Sequence, residues 1–345
     1  MSSSLSKTPQ YLPGDVVGVL LPLPLRGVYD YRVPEGLTAC GGDFVLVPIG
    51  KREIAGVVWG DGSGELKPGK IRDMIARFDA PSLPIVMRRF IEWVSAYTVH
   101  PPGAVLKMTM SAPKALEPPK SVNAYTLRDA PADVRMTPAR ARVFQVLENS
   151  PPRRSPDLAQ EAGVSSGVVR DLIKAGALKA VPLAEPGPPE PDWRLEGPDL
   201  SPDQGRAAKN LQAKVGEDEF AVSVLDGVPG SGKTEVYFQA VAEALKQGRQ
   251  VLVLLPEIAL GAQWLARFVE RFGAEPASWH SDLSPARRRK TWRAVAEGRA
   301  RVVVGARSAL FLPFADLGLI VVDEDYHSYG VSVNVSIQFL IRSGG

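Results

Sequence analysis

The stretch Gly227-Val228-Pro229-Gly230-Ser231-Gly232-Lys233-Thr234 satisfies G-x-x-x-x-G-K-[ST] at every specified position. Glycines at those places let backbone N–H groups curl around a phosphate. A helix beginning there turns its positive end toward the same charge. Lys233 has the reach for β- and γ-phosphates, and the Thr234 hydroxyl suits a magnesium ion. The chemistry implied is binding of ATP with Mg2+, with Gly227, Gly230, Ser231, Gly232, Lys233 and Thr234 as the contacts.

Such a loop needs an acidic partner at the end of another strand. Leu319-Ile320-Val321-Val322-Asp323-Glu324 supplies it: four apolar residues bury a strand, and two carboxylates follow at its C-terminal edge. Asp323 is expected to hold magnesium and Glu324 to orient an attacking water. An adjacent Asp-Glu points to ATPases of the helicase type rather than to small-molecule kinases. Gln204, about two dozen residues before the loop, has the paired donor and acceptor that read adenine. It equally fits a surface helix cap, and both readings stay open.

The elements that must position these groups follow the chain in order. From Ser201, helices alternate with apolar strands: Ala221–Leu225, Gln250–Leu255, Arg301–Gly305 and Leu319–Val322, with helices over Glu235–Gln247 and Gly261–Phe272. That alternation argues a parallel sheet covered on both faces. Residues 11–80 instead show short β-branched and aromatic runs broken by glycine turns, as in a small barrel or sandwich. A helix is predicted from Pro84 to Val99, with Val86, Phe90, Trp93, Val94 and Tyr97 along one face. Thr137-Pro138 caps a helix carrying Val143, Val146 and Leu147. In Asp157–Val181, Ala159, Gly163, Val164, Val169 and Leu172 fall where a helix-turn-helix needs them.

The fold class is therefore multidomain α/β. A β-rich domain spans 1–110, a linker 111–136, a winged helix 137–182, a proline-rich linker 183–199 and a RecA-like P-loop lobe 200–328. The winged helix could face DNA through Arg170 and Lys174 or serve as a packing module. The 345 residues carry 41 basic and 38 acidic side chains, so any nucleic-acid surface must be local. A single cysteine, Cys40, excludes an internal disulfide and a multi-cysteine metal site. No apolar run reaches about 18 residues, and no signal-peptide core is present. The expectation is a cytoplasmic protein with no membrane partner.

The segments GVPGSGKTEVYFQA, VLVLLPEIALGAQ, HSDLSPARRRKTW and VVVGARSALFLPFADLGLIVVDE, in that order, resemble the primosomal protein N′ (PriA) family. These are superfamily 2 helicases of bacterial replication restart. Upstream, LPLPLRGVYDYRVPEG and GGDFVLVPIGKREIAGVV resemble that family's N-terminal 3′-DNA-binding domain. The resemblance implies an ATP-dependent 3′-5′ DNA helicase acting at forked DNA or at a free 3′ end. It also implies the primosome and single-strand-binding proteins as partners. The family's 3′-end pocket maps to Tyr29, Asp30 and Gly50, with Lys70 or Arg72 as its basic residue. An aromatic ring there can stack on a base, and a carboxylate can accept a terminal hydroxyl; packing on a barrel accounts for Tyr29 equally well. Arg307 would hold a tracked strand's phosphates. The basic run Arg287, Arg288, Arg289, Lys290 and Arg293 could contact DNA or form a solvated helix face. Zinc belongs to the family's cysteine-rich module, for which this chain offers no site.

The sequence departs from the family after Glu324. Histidine is expected three residues beyond the aspartate, yet the order here is Asp323-Glu324-Asp325-Tyr326-His327, and residues 329–345 resemble nothing in the family. The expectation is a fragment truncated after the first RecA-like lobe that binds ATP and DNA. The alternative is a fork-binding fragment with little ATP turnover.

Overall fold

The computed structural model describes residues 9–25, 27–65, 68–118, 122–128, 134–148, 150–183, 187–217, 219–228, 230–256, 262–323 and 335–339. They form two compact units. One comprises the residues up to Pro118 and from Gly187 onward; the other is Pro119–Pro186.

In the first unit, Val16–Leu20, Tyr29–Arg32, Phe44–Ile49 and Arg52–Asp61 make the body of an antiparallel sheet. One short stretch closes it. Arg72–Asp73 pairs with Tyr29–Arg32, and Ala76–Arg77 pairs with Phe44–Ile49 at the opposite edge. Between them the Met74 N–H donates to the Arg32 carbonyl at 2.9 Å and the Ile75 N–H to the Leu46 carbonyl at 2.8 Å. Both edges are thereby satisfied, which is how a barrel removes unpaired edge groups. Alternate residues Val17, Val19, Val45, Val47 and Val58, with Tyr31 and Met74, fill the interior.

The outward residues Leu20, Phe44 and Val57 enter a second core. It includes Met87, Ile91, Val105 and Leu106 from the helices Ile85–Thr98 and Pro102–Thr109, and Trp279, Trp292, Leu312 and Ile320 from the C-terminal lobe. The helix over 85–98 is where it was expected, but its buried face is only partly so: Phe90 and Val94 pack against this core, and Val86 is exposed. Met87 and Ile91 go inward, while Trp93 (60% exposed) and Tyr97 (76%) stack on each other in the open, ring centroids 5.2 Å apart. The helix is apolar on more than one side, and the available neighbours decided which side was covered.

The C-terminal lobe has a six-stranded sheet in the order Ala221–Leu225, Val335–Phe339, Leu317–Val322, Gln250–Leu254, Val302–Gly305, Ala277–Trp279. The last four are mutually parallel. Val335–Phe339 runs antiparallel to both neighbours, so Ala221–Leu225 points the same way as Leu317–Val322. Ala221–Leu225, expected to be buried, lies at the sheet edge with Val222 54% and Val224 60% exposed. An edge strand covered on one face alternates in this way.

The proline-rich stretch before the lobe lies on it from residue 187. The Asp192 N–H donates to the Phe272 carbonyl at 2.8 Å, the Arg271 guanidinium donates to the Leu195 carbonyl, and Trp193 packs against the lobe's core.

The second unit has helices Pro138–Glu148, Ser155–Glu161 and Ser166–Lys174 beside a three-stranded antiparallel sheet. Thr137 caps the first helix, its hydroxyl accepting from the Arg140 N–H at 3.3 Å. Ala159, Val169 and Leu172 are buried, and Gly163 has φ +59° in the turn. The central strand, Val122–Leu127, falls inside the stretch read as a linker. Prolines on both sides masked a run short enough to be missed.

Candidate nucleotide site and DNA-facing residues

The phosphate-loop residues sit between the strand Ala221–Leu225 and the helix Lys233–Lys246. Gly230 and Gly232 have φ of +77° and +81°, a conformation that side-chain-bearing residues avoid. A Cβ at Gly232 would meet Gln204 Nε2 at 2.5 Å, and one at Gly227 would meet Ser231 Oγ at 2.7 Å. At Gly227 and Gly232 a side chain would therefore displace Ser231 or Gln204. Lys233 Nζ donates to the Gly227 and Val228 carbonyls at 2.6 and 3.2 Å, which holds the ammonium against the loop.

Gln204 takes the cap role of its two expected ones. Its Oε1 accepts from the Ser201 N–H at 2.8 Å, completing a capping box for the helix Pro202–Gly216. Its Nε2 donates to the Ser231 carbonyl at 2.8 Å. The cap is therefore also a strut against the phosphate loop, and reading a base would require exchanging these bonds.

Asp323 follows Leu317–Val322 at the C-terminal edge of the parallel strands, its N–H donating to the Leu254 carbonyl at 2.9 Å. Its Oδ2 accepts from the Tyr237 hydroxyl at 2.8 Å, and that hydroxyl accepts from Trp264 Nε1 at 2.7 Å. The Thr234 side chain lies near the same phenol. Burial first, then the charge of Asp323, holds the Tyr237 phenol well above its ordinary range. Thr234 and Asp323, remote in sequence, are both brought near this phenol. Two hard oxygen donors beside a phosphate-type loop fit magnesium, which keeps several waters and takes few protein ligands. The loop N–H groups, Lys233, Thr234 and Asp323 would hold ATP and Mg2+, whose bound charge would neutralise the phosphates. Glu324 lies outside the described residues. Reasoning from sequence missed Tyr237 and Trp264; a tyrosine one helical turn after Lys233 was the available signal.

The DNA-facing candidates are placed less uniformly. Tyr29 is 36% exposed at the start of its strand, whereas Asp30 is buried at 7%. Strand alternation turns Asp30 away from Tyr29, and its carboxylate accepts from the Ser63 N–H at 2.8 Å and the Ser63 hydroxyl at 2.7 Å. Gly50 occupies a turn at φ +59°, and its carbonyl accepts from Arg72 at 3.0 Å, which brings those two together. Lys70 ends the short helix Pro68–Lys70 and is exposed. Arg307 is exposed where the chain leaves Val302–Gly305 at the edge shared with Asp323.

The basic run is corrected in part: Arg287 and Lys290 are exposed, as on a solvated face, but two others are not. Arg293 is not on a solvated face: its side chain is 12% exposed and donates to the carbonyls of Asp79, Ala115 and Glu117. Arg288 stacks over Trp279 at 4.7 Å.

Comparison with known proteins agrees with this layout. Residues 18–111 match the family model of the PriA 3′DNA-binding domain (3′BD), and residues 201–341 match that of the DEAD/DEAH box helicases. The fold and site define a DEAD/DEAH-class helicase lobe joined to a 3′ DNA-binding domain. The chain is 32% identical over 328 residues to the replication restart protein PriA of Chlamydia pneumoniae, covering 88% of this chain and 42% of that protein. It is 30% identical over 332 residues to the PriA of Haemophilus influenzae, covering 91% of this chain and 44% of that one. Against the Bacillus subtilis PriA, identity is 37% over 175 residues, half of this chain and 22% of the relative. The chain belongs to the PriA family of replication restart proteins and spans about two fifths of the length of the first two relatives. Among the described residues, no helix is long and apolar enough to cross a membrane.

Proposed function

We propose that this chain carries the ATP-binding and DNA-recognising portion of a 3′-5′ DNA helicase of replication restart. Its loop from Gly227 to Thr234 takes ATP with Mg2+, and Asp323 completes the ion's protein ligands. Glu324 orients the attacking water, and the barrel takes a free DNA 3′ end through Tyr29, Asp30 and Gly50, with Lys70 or Arg72. Arg307 meets the tracked strand. The second unit acts as a winged helix. Its setting is the cytoplasm, at forked DNA, with primosome and single-strand-binding proteins as partners.

The observation that carries this reading is the bond from the Tyr237 hydroxyl to Asp323, which ties that carboxylate to the helix following the phosphate loop, in the same compact unit as the barrel. A phosphate loop and a metal-type carboxylate at the C-terminal edge of parallel strands are what triphosphate chemistry needs. Packing of the barrel on the lobe provides a physical route from a bound DNA end to the nucleotide.

The test is ATP hydrolysis by this chain with and without forked DNA, beside Lys233→Ala. Stimulation by the fork, abolished in the variant, supports a DNA-dependent ATPase. Fork binding without stimulation supports the alternative, a fork-recognition module with little turnover. Turnover that ignores DNA would sink both.

A further inference from the structure

Tyr237 is fully buried, yet its hydroxyl touches no core carbonyl; it stands among Asp323, Trp264 and Thr234. The indole N–H of Trp264 is donor-only, so at 2.7 Å the phenol oxygen must accept it. The phenol proton is then left for Asp323 Oδ2, at 2.8 Å. Three elements meet there, namely the helix Lys233–Lys246, the helix Ala262–Phe272 and the end of the strand Leu317–Val322. The stack of Trp264 on Phe268, with centroids 5.3 Å apart, and the edge contact of Phe238 hold the indole in place.

We propose that Tyr237 is a positioning residue for the magnesium site, its hydroxyl fixing the Asp323 carboxylate, with Trp264 setting its proton direction. This rests on the reading of the loop as an ATP–Mg2+ site. A tyrosine that merely satisfies its own buried hydroxyl would matter to stability alone. A positioning tyrosine matters to the ion, because an aspartate that loses this donor is aimed less firmly at it.

The test measures binding of a fluorescent ATP analogue to the full chain, in Mg2+ and in excess EDTA, for the wild type, Tyr237→Phe and Lys233→Ala. Tyr237→Phe removes one oxygen atom and little volume. The expected result is a loss of about tenfold in the affinity gained from Mg2+, the size of one hydrogen bond to a charged group, with affinity in EDTA unchanged. Lys233→Ala should lose binding in both conditions. If Tyr237→Phe does not fold by its melting transition, Trp264→Phe keeps the hydroxyl but frees its direction, and should reduce the Mg2+ gain several-fold. A Mg2+ gain in the variant equal to wild type overturns the proposal. So does an equal loss with and without Mg2+, which marks a role in packing the loop. Absence of nucleotide binding by the wild type overturns the ATP-site reading itself, and this inference with it.

Discussion

Trp292 Nε1 donates to the carbonyl oxygen of Thr109 at 2.8 Å, joining residues 183 positions apart. The indole is fully buried and meets Phe44 of the barrel edge-on, with centroids 5.7 Å apart. One side chain of the helix Pro285–Ala296 therefore holds both the barrel and the helix behind it to the lobe. Trp292→Ala should cost about 3–5 kcal/mol, as large-to-small core changes do. Trp292→Phe should cost about 1–3 kcal/mol, because it orphans a buried carbonyl. Urea unfolding followed by circular dichroism measures both, and Trp292→Ala should split one transition into two.

Arg293, the next residue, donates to Glu117 at 2.9 Å and Asp79 at 2.7 Å and pairs with Glu297 at 2.7 Å. Its removal should act on stability rather than on DNA. Arg293→Ala is expected to destabilise by about 2–3 kcal/mol. The slope of DNA affinity against salt should stay at the wild-type value, since no phosphate contact is lost. A slope reduced by about one would return this arginine to the DNA surface.

Gly232→Ala tests the geometry of the phosphate loop. At φ +81° the new Cβ is strained by roughly 1–2 kcal/mol, and it would lie 2.5 Å from Gln204 Nε2. The strut from Gln204 to Ser231 must then give way. Nucleotide affinity should fall at least about tenfold, while the melting temperature moves by only a few degrees. Fluorescence titration against a thermal melt separates the two effects.

For the barrel, Tyr29→Ala should weaken binding of a single strand ending in a 3′ hydroxyl by roughly 5- to 100-fold, the range for one stacked base. A strand capped by a 3′ phosphate should bind the variant and the wild type alike. Fluorescence anisotropy with the two oligonucleotides gives the comparison; equal losses on both would place Tyr29 outside an end-specific pocket.

Alkaline stability should depend on Tyr11. Burial first, then its bond to Asp61 at 2.9 Å and the charge of that carboxylate, raise the phenol to about 12. The unfolded phenol titrates near 10, so above that pH the unfolded chain binds fewer protons than the folded one. Stability is then lost as pH rises from about 10 toward 12. In Tyr11→Phe the fall between pH 9 and about 11.5 should be shallower than in wild type, read from urea midpoints. An identical slope would show that this hydroxyl is not protected in the fold.

Much of the candidate site was legible because it depends on neighbours in the chain. The glycine spacing before Lys233, the apolar run before Asp323 and the cap at Ser201–Gln204 are local patterns, and local backbone chemistry dictates them. The helix after the loop and the strands Gln250–Leu254 and Leu317–Val322 came from periodicity alone to within about two residues. The buried face of Ile85–Thr98 and the half-exposed strand Ala221–Leu225 were misread. Apolar residues in both allow more than one partner, and periodicity does not say which partner arrives.

The phosphate loop and its carboxylate were thus determined by the sequence itself. Only the tertiary structure decided that Tyr237, 86 residues from Asp323, stands between that carboxylate and the Trp264 indole. It alone turned Arg293 from a surface cation into a clamp, and let Arg72–Arg77 close the barrel. The reason is physical. A motif is a statement about adjacent backbone, whereas a hydroxyl, an indole and a carboxylate from three elements meet only after each element has buried its apolar face, and burial is non-directional until the whole core is packed.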